Sequence, residues 1–327
     1  MMPKVFISRV RHDVLFATMA YALAWIGYEQ LLAGKRVFIK PNFTYPFYKP
    51  GVTTSPQILE ALVSFCAERG ATIFIGESDA GSNAWRAEEA FAGHRIPEIC
   101  SRYGAQAVNL SQLPREVVRV NIAHRQVQVE LPSMLLHDID VFITVPVPKV
   151  HVMTVVSLGF KNQWGCIPDV KRLRYHPEFD YTVLAINKLL QPKLAVYDGS
   201  YFLNRTGPMD GDPVPLNLLI VSNDVGAGDL VCCEIMGINA NRVGHLRLAM
   251  QEGMMPRSLA EVKINTDPHQ FNQQKFILQR TPMNWVALMA FHSKLATWFL
   301  YQSKFAKPVH ELLYFLRGRP KDFSPQW

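Results

Sequence analysis

Apolar positions along the chain fall into short continuous runs separated by stretches with helical spacing. Val37–Lys40, inside Lys35-Arg36-Val37-Phe38-Ile39-Lys40, is a β run. Ser55-Pro56 then opens a helix to about Arg69, with Ser suited to the N-cap and Pro to the first turn, and Gly70 ends it. Thr72–Gly76 reads as the next strand, Glu88 to Tyr103 as a helix interrupted near Pro97, and Ala105–Leu110 as a strand. Val117–Ile122 and Gln126–Leu131 alternate with period two, the pattern of a hairpin added to the core. Asp140–Val145 is apolar almost throughout, as a strand covered on both faces must be. Strands at Lys193–Tyr197 and Leu218–Val221 and helices near 180–190, 228–237 and 241–253 continue the series. This alternation predicts an α/β fold built on a mostly parallel, doubly wound sheet with a small β-hairpin insertion.

The two ends behave differently. Lys4, Arg9 and Arg11 precede an apolar run from Val14 to Gly27, and Ala22-Leu23-Ala24 mimics a signal-peptidase site. The run is too short to span a bilayer. The preferred reading is a helix over about 14–32, capped by Asp13 and ended by Gly34, which covers the sheet. After about 265 the chain turns rich in Trp, Phe, Leu and Met, with Lys294, Lys304, Lys307 and Arg317 scattered through it. Two amphipathic helices broken at Pro308 fit this stretch. Phe291, Leu295, Trp298, Phe299 and Phe305 fall near one face, for which packing on the protein itself is favoured, with a membrane or partner as second choice. The organisation expected is an α/β domain over 1–265 and an amphipathic helical extension over 266–327.

Composition narrows the class. Of 327 residues, 49% are hydrophobic and 19% charged, which excludes a disordered or fibrous chain. A net charge of +7 favours an anionic partner, although ordinary solvated surface accounts for it equally well. The tail cluster Arg317, Arg319, Lys321 is too short for a nucleic-acid arm, so no nucleic acid is expected. Five scattered cysteines, none in C-x-x-C spacing, support neither a disulfide framework nor a zinc or iron–sulfur site. They point to a reducing, cytoplasmic setting, with peripheral contact at the inner membrane surface through the tail.

Ligands in open α/β sheets bind beyond the carboxyl ends of the strands. The polar residues there are Lys40 and Asn42, Glu77 and Ser78, Lys149 and His151, Asp198, and Asn223 with Asp224. Lys149 and His151 lie two apart, so an extended segment turns both to one side. Next comes Gly159-Phe160-Lys161-Asn162-Gln163-Trp164-Gly165, clustered donors between glycines with a Trp to stack on a ligand, followed by Arg172, Arg174 and His176. A solvated Gly/Pro-rich loop is the plainer account of that segment. Gly226-Ala227-Gly228 is not a dinucleotide fingerprint, because Val231 stands where the third glycine belongs. P-loop, G-x-S-x-G and H-E-x-x-H motifs do not occur. A metal site from Glu77, His151, Asp198 and Asp224 has no diagnostic spacing, so no metal is expected and the cofactor stays open.

Several of these motifs together resemble the DUF362 family. Val37-Phe38-Ile39-Lys40-Pro41-Asn42, Thr54-Ser55-Pro56 and Gly76-Glu77-Ser78 look like its opening blocks, and Val145-Pro146-Val147-Pro148-Lys149-Val150-His151 like its central one. Leu158-Gly159-Phe160-Lys161-Asn162-Gln163-Trp164-Gly165 resembles its "LGLKNQ-x-G" segment, and Asp198-Gly199, Gly207-Pro208 and Asp224 to Asp229 follow in order. The resemblance covers roughly residues 1–255. Many members of that family carry a ferredoxin-type Cys module, which is not matched here.

Three functions follow from these residues. The first is an enzyme acting on an anionic carboxylate or phosphate by acid–base chemistry, lyase- or isomerase-like. In it Lys40, Lys149 and Lys161 hold the anion, His151 is the principal acid/base and Glu77 its partner or a second base. Asn42, Ser78, Asn162, Trp164, His176 and Asp198 complete the binding set. The second is a redox accessory protein, which would need cluster ligands. The third is a non-catalytic protein docked on a membrane by its basic, aromatic tail.

Overall fold

The structure is a computed structural model that describes residues 2–28, 32–272 and 274–301, with 303–306, 308, 309 and 311. In chain order its elements are β1 (Lys4–Arg9), α1 (Leu15–Ile26), β2 (Arg36–Pro41), α2 (Pro56–Ala67), β3 (Thr72–Glu77), α3 (Ala87–Gly93), α4 (Ile96–Tyr103) and β4 (Gln106–Asn109). The hairpin β5 (Arg115–Ile122) and β6 (Arg125–Pro132) follows, then α5 (Ser133–His137), β7 (Val141–Val145), β8 (Lys149–His151), β9 (Val155–Ser157) and α6 (Gly159–Asn162). The second half holds α7 (Phe179–Leu190), β10 (Leu194–Asn204), β11 (Asp212–Ser222), α8 (Val225–Met236), α9 (Gly244–Gln251), β12 (Lys263–Ile264), α10 (Pro282–His292) and α11 (Lys294–Tyr301).

The main sheet runs β12-β1-β11-β10-β7-β2-β3-β4. From β10 through β4 every neighbouring pair is parallel. β11 is antiparallel to both β10 and β1, and β12 joins β1 in parallel. Because side chains alternate across a strand, Val37, Ile39, Ile73, Ile75 and Ile143 meet α1–α4 on one face, while Phe38, Phe142 and Tyr197 meet α7–α9 on the other. The sheet is therefore doubly wound and mostly parallel, with the β5–β6 hairpin set apart from it. The hairpin still buries Ile122, Val127, Val129 and Leu131 in the second of these cores.

Local chemistry sets the element ends, and several differ from the sequence reading. The first helix stops at Ile26, because Gly27 turns left-handed (φ 89°) and its N–H bonds back to Ala24 and Leu23 carbonyls. Asp13 does not cap it: its carboxylate is held by the Arg11 guanidinium at 2.9 Å. The break between α3 and α4 falls at His94-Arg95, where Arg95 has φ 59°, and Pro97 instead sits in the first turn of α4, where its missing N–H costs nothing. Lys4–Arg9, read as the basic flank of a signal-like run, is a strand between β11 and β12 with Val5 and Ile7 buried. The strands expected at 193–197 and 218–221 are the paired halves of one long antiparallel hairpin, 194–204 with 212–222.

The tail also departs from expectation. The break between its two helices falls at Ser293 rather than Pro308. Among the described residues of α10 and α11, Phe291 is the large apolar side chain that is buried, whereas Leu295, Trp298 and Phe299 are exposed, as is Phe305 beyond them. Before these helices the chain stays on the core, with Phe276 buried against Phe202 at 5.8 Å.

The carboxyl end of the parallel strands is roofed by a folded-over segment. β8 pairs with β9 and touches β10 at Leu203↔Lys149, and α6 follows at once. Asp229 of α8 accepts the Gly159 and Phe160 amides at 2.6 and 3.0 Å, which fixes the start of α6. The Tyr197 hydroxyl lies 2.7 Å from the same carboxylate. Burial pushes this carboxyl up to about 7 against those hydrogen bonds. α8 approaches this closely only because Gly228 has no side chain, since a Cβ there would lie within 2.7 Å of the Tyr197 ring edge and hydroxyl. Gly228→Ala is therefore expected to lower stability by about 1–3 kcal/mol, as overpacking does. Urea unfolding checks it, and an unchanged midpoint would show that α8 lies farther from Tyr197.

Candidate functional site

Two lysines are buried at the strand ends, and the protein satisfies each in a different way. Lys40, at the end of β2, is 1% exposed and its Nζ lies 2.6 Å from Glu77 Oε2 at the end of β3. It also donates to the Pro41 carbonyl at 2.8 Å, while the Phe43 and Ser78 amides donate to the Glu77 carboxylate at 3.3 and 3.1 Å. Gly165 closes over this pair: a Cβ there would lie 2.6 Å from Glu77 Oε1 and 2.9 Å from Lys40 Nζ. Ser78 Oγ donates to the Gly165 carbonyl at 2.6 Å and holds the lid segment down.

Lys149 is fully buried and has no carboxylate partner. It donates to Asn42 Oδ1 at 3.2 Å and to the Val52 carbonyl. Burial, and then the nearby charge of Lys161, pushes its pKa well down, and a neutral amine still serves both acceptors. From Lys149 a directional chain runs inward. Asn42 donates to Asn162 Oδ1 (3.1 Å), Asn162 to Thr144 Oγ1 (2.9 Å), Thr144 to Gln163 Oε1 (2.8 Å), Gln163 to Asn187 Oδ1 (2.7 Å), and Asn187 to the Phe160 carbonyl (2.8 Å). Thr54 ties in the loop after β2 by accepting from the Asn42 amide and donating to the Val145 carbonyl, each at 2.8 Å. This web is closed, since each of its side chains is bonded within the protein.

Lys161 is the exception. It is partly exposed and, apart from the face of Phe179 at 5.9 Å, its ammonium has no hydrogen-bonding or ionic partner among the described residues. Burial, and then the charge of Arg172, lowers it to about 8. Its own charge bears on three imidazoles: His151, lowered well below 6.5, and His176 and His245, each lowered to about 3, all mainly by burial. His151 Nδ1 accepts the Met153 and Thr154 amides at 3.1 and 3.4 Å, so the neutral ring carries its proton on Nε2. His245 Nε2 is buried with no hydrogen-bond partner. Trp164 stacks on His176 (5.7 Å, 21°) and Phe291 of α10 packs against it at 4.3 Å. His245 Nε2, buried without a partner among the described residues, and the unpaired Lys161 ammonium thus belong to one electrostatically coupled group.

The residues expected from sequence thus divide. Lys40, Glu77 and Ser78 form one group, Asn42, Asn162 and Lys149 a second, and Lys161, His151, His176 and Trp164 a third. Lys149 and Lys161 connect the last two electrostatically. No hydrogen bond joins Glu77 to His151, because its carboxylate is engaged by Lys40 and two amides. Asp198 lies inside β10, not at its exit, and accepts the Ser55 and Ser200 amides at 2.6 and 3.1 Å, holding the start of α2. Thr54 stood in the Thr54-Ser55-Pro56 block without a role, and Thr144, Asn187 and His245 were missed. A lone Thr or His carries no local signal, and these lie on elements brought together only by folding. Among the described residues no group of three His, Cys, Asp or Glu is placed to hold a metal ion.

The profile described as "Domain of unknown function (DUF362)" matches residues 37–234. A thylakoid-associated protein of Synechocystis sp. is 27% identical over 238 residues, 68% of this chain and 70% of its own length. Among solved structures, the lactate racemase apoprotein from Thermoanaerobacterium thermosaccharolyticum aligns with a TM-score of 0.44 at 16% identity, over 72% of this chain and 57% of its own. A Thermotoga maritima protein from a structural genomics programme aligns with a TM-score of 0.41 at 12% identity, over 63% and 54%.

Removing one partner of a buried ion pair leaves the other uncompensated. Lys40→Met should therefore cost about 3–5 kcal/mol in denaturant unfolding, and adding Glu77→Gln should restore part of it. A single variant as stable as the parent would show that the pair is not sealed. The neutral histidines give a pH signature. His94, 1% exposed and lowered to about 4 mainly by burial, and His245 take up protons on unfolding below about 6.5. Folded stability is then full above that pH and falls on acidification toward 4 and 3, by up to about 1.4 kcal/mol per pH unit for each ring. His94→Gln and His245→Gln should each flatten that slope, whatever they do to stability at pH 7. An unchanged slope would mean that these rings are protonated in the fold.

Proposed function

We propose that this chain, which belongs to the DUF362 family, is an enzyme that holds an anionic carboxylate or phosphate small molecule beside Arg172 and acts on it by proton transfer at Lys161, as a lyase or isomerase does. One observation carries the reading: Lys161 is an unpaired ammonium set among His151, His176 and His245, with no carboxylate within ion-pair reach among the described residues. A structural lysine gains a partner, as Lys40 does. A lysine kept without one, and lowered to about 8, is poised to exchange a proton near neutral pH.

The roles follow from the hydrogen bonds. His151 is held by two amides with Nε2–H outward, so it donates to a substrate oxygen and stabilises charge developing there. Lys161, as the free amine, takes a proton from the substrate; the electron pair moves onto the oxygen that faces His151 Nε2–H. Return of the proton to another position gives an isomer, and loss of a leaving group gives an unsaturated product. Lys149 and the Asn42–Asn162 web set the position of this segment. Arg172 and His176 line the anion. We place the protein in the cytoplasm with peripheral contact at a membrane, a setting that the thylakoid association of the Synechocystis relative supports.

The test uses a panel of small carboxylates and phosphate monoesters. Binding is followed by thermal shift, and proton abstraction by NMR exchange of substrate C–H in heavy water. A ligand that stabilises the protein and exchanges is expected. Lys161→Met should lower exchange by roughly 10²–10⁴-fold, and His151→Phe should slow it with the fold intact. If no anion in the panel stabilises the protein, or if Lys161→Met leaves exchange unchanged, the reading fails.

A further inference from the structure

α10 and α11 lie across the segment that carries His176 and are fastened to it on one side. Thr281 and Asn284 form a reciprocal cap at the start of α10, and Arg280 Nε donates to the Val152 carbonyl at 2.6 Å. Phe291 packs on His176 and Phe179, Thr297 is buried and donates to the Ala290 carbonyl at 3.0 Å, and Lys294 reaches Glu178 at 2.6 Å. The inner side of the pair is therefore committed to the core.

The outer side carries Trp285, Val286, Met289, Leu295 and Trp298, all at least half exposed, with Met289 at 67% and Leu295 at 76%. Single exposed apolar residues are ordinary, but a run of them on adjoining helices marks a contact surface. Charge selects the occupant. From residue 266 onward there are eight Lys and Arg against three Asp and Glu, so five of the seven excess positive charges of the chain lie in this segment. A second copy would set like charge against like in a two-fold interface, whereas an anionic bilayer complements it. Trp and Phe beside Lys are the side chains that settle at the headgroup boundary. Among the described residues no helix is long and apolar enough to cross a membrane, which fits helices lying in the interface.

We infer that α10 and α11 are a peripheral docking element whose outer face inserts into the headgroup region of an anionic lipid membrane and seats the His176 segment beneath it. The test is flotation of the full chain with vesicles of phosphatidylcholine alone and vesicles mixed with phosphatidylglycerol. Binding to the anionic vesicles, weakened by high salt, is expected. Trp285→Glu with Met289→Glu, and separately Leu295→Glu with Trp298→Glu, should reduce it by roughly tenfold or more per side chain. These positions are exposed, so the melting temperature should hold. The inference is overturned if the chain floats with neither vesicle, or if both double variants float as the parent does. It is equally overturned if the parent is a dimer that the variants turn into monomer without any vesicle binding.

Discussion

Burying ammonium groups at the carboxyl ends of parallel strands is the constraint on which the centre of this molecule depends. An unpaired charge taken out of water is costly, so each buried lysine must gain a counter-charge, gain acceptors and lose its proton, or keep an opening for a ligand. Lys40 takes the first course with Glu77, and Lys149 the second with Asn42 and Val52. Lys161, beside them, is only partly buried and keeps an opening to the outside. The glycines and amides of the surrounding loops follow from these solutions. Gly165 is bare because the Lys40–Glu77 pair lies under it, and Asn162 spans Asn42, the Lys40 carbonyl and Thr144.

The closed web and the open cluster have different mechanical meanings. A hydrogen-bonded chain from Lys149 through Asn187 joins β2, β7, β8, α6 and α7, so none of these can shift without breaking a buried bond. Rigidity of that kind fixes the neighbouring backbone, and Lys161 sits directly beside Asn162 in α6. Asp229 adds to it from the opposite helix layer by fixing the first amides of α6. The orphan Nε2 of His245 and the outward Nε2–H of His151 are then the atoms left to meet a bound group.

The tail joins this centre to the outside. Phe291 packs on His176, which stacks on Trp164, so α10 reaches the Lys161 segment through a continuous run of rings. The outer face of α10 and α11 has the opposite character, with Trp285, Val286, Met289, Leu295 and Trp298 apolar and exposed.

The sequence alone determined the α/β class, the doubly wound sheet, the β5–β6 hairpin and the C-terminal helical extension, because apolar periodicity and turn residues are local properties. It also marked Lys40, Asn42, Glu77, Lys149, His151, Lys161 and Asn162, since polar groups that close apolar strands stand out in a one-dimensional pattern. Tertiary structure alone decided what those groups do. Glu77 is a counter-ion to Lys40 because β2 and β3 are hydrogen-bonded neighbours, and Asp198 is a backbone anchor because β10 runs on past it. Thr144, Asn187 and His245 entered the site from β7, α7 and α9, for which no spacing in the chain gives notice. The Lys4–Arg9 strand was hidden for the same reason: six residues with charged ends carry almost no signal until β11 and β12 supply the hydrogen bonds that make them a strand. Periodicity records which side of an element faces the core, whereas the pairing of one element with another is written only in three dimensions.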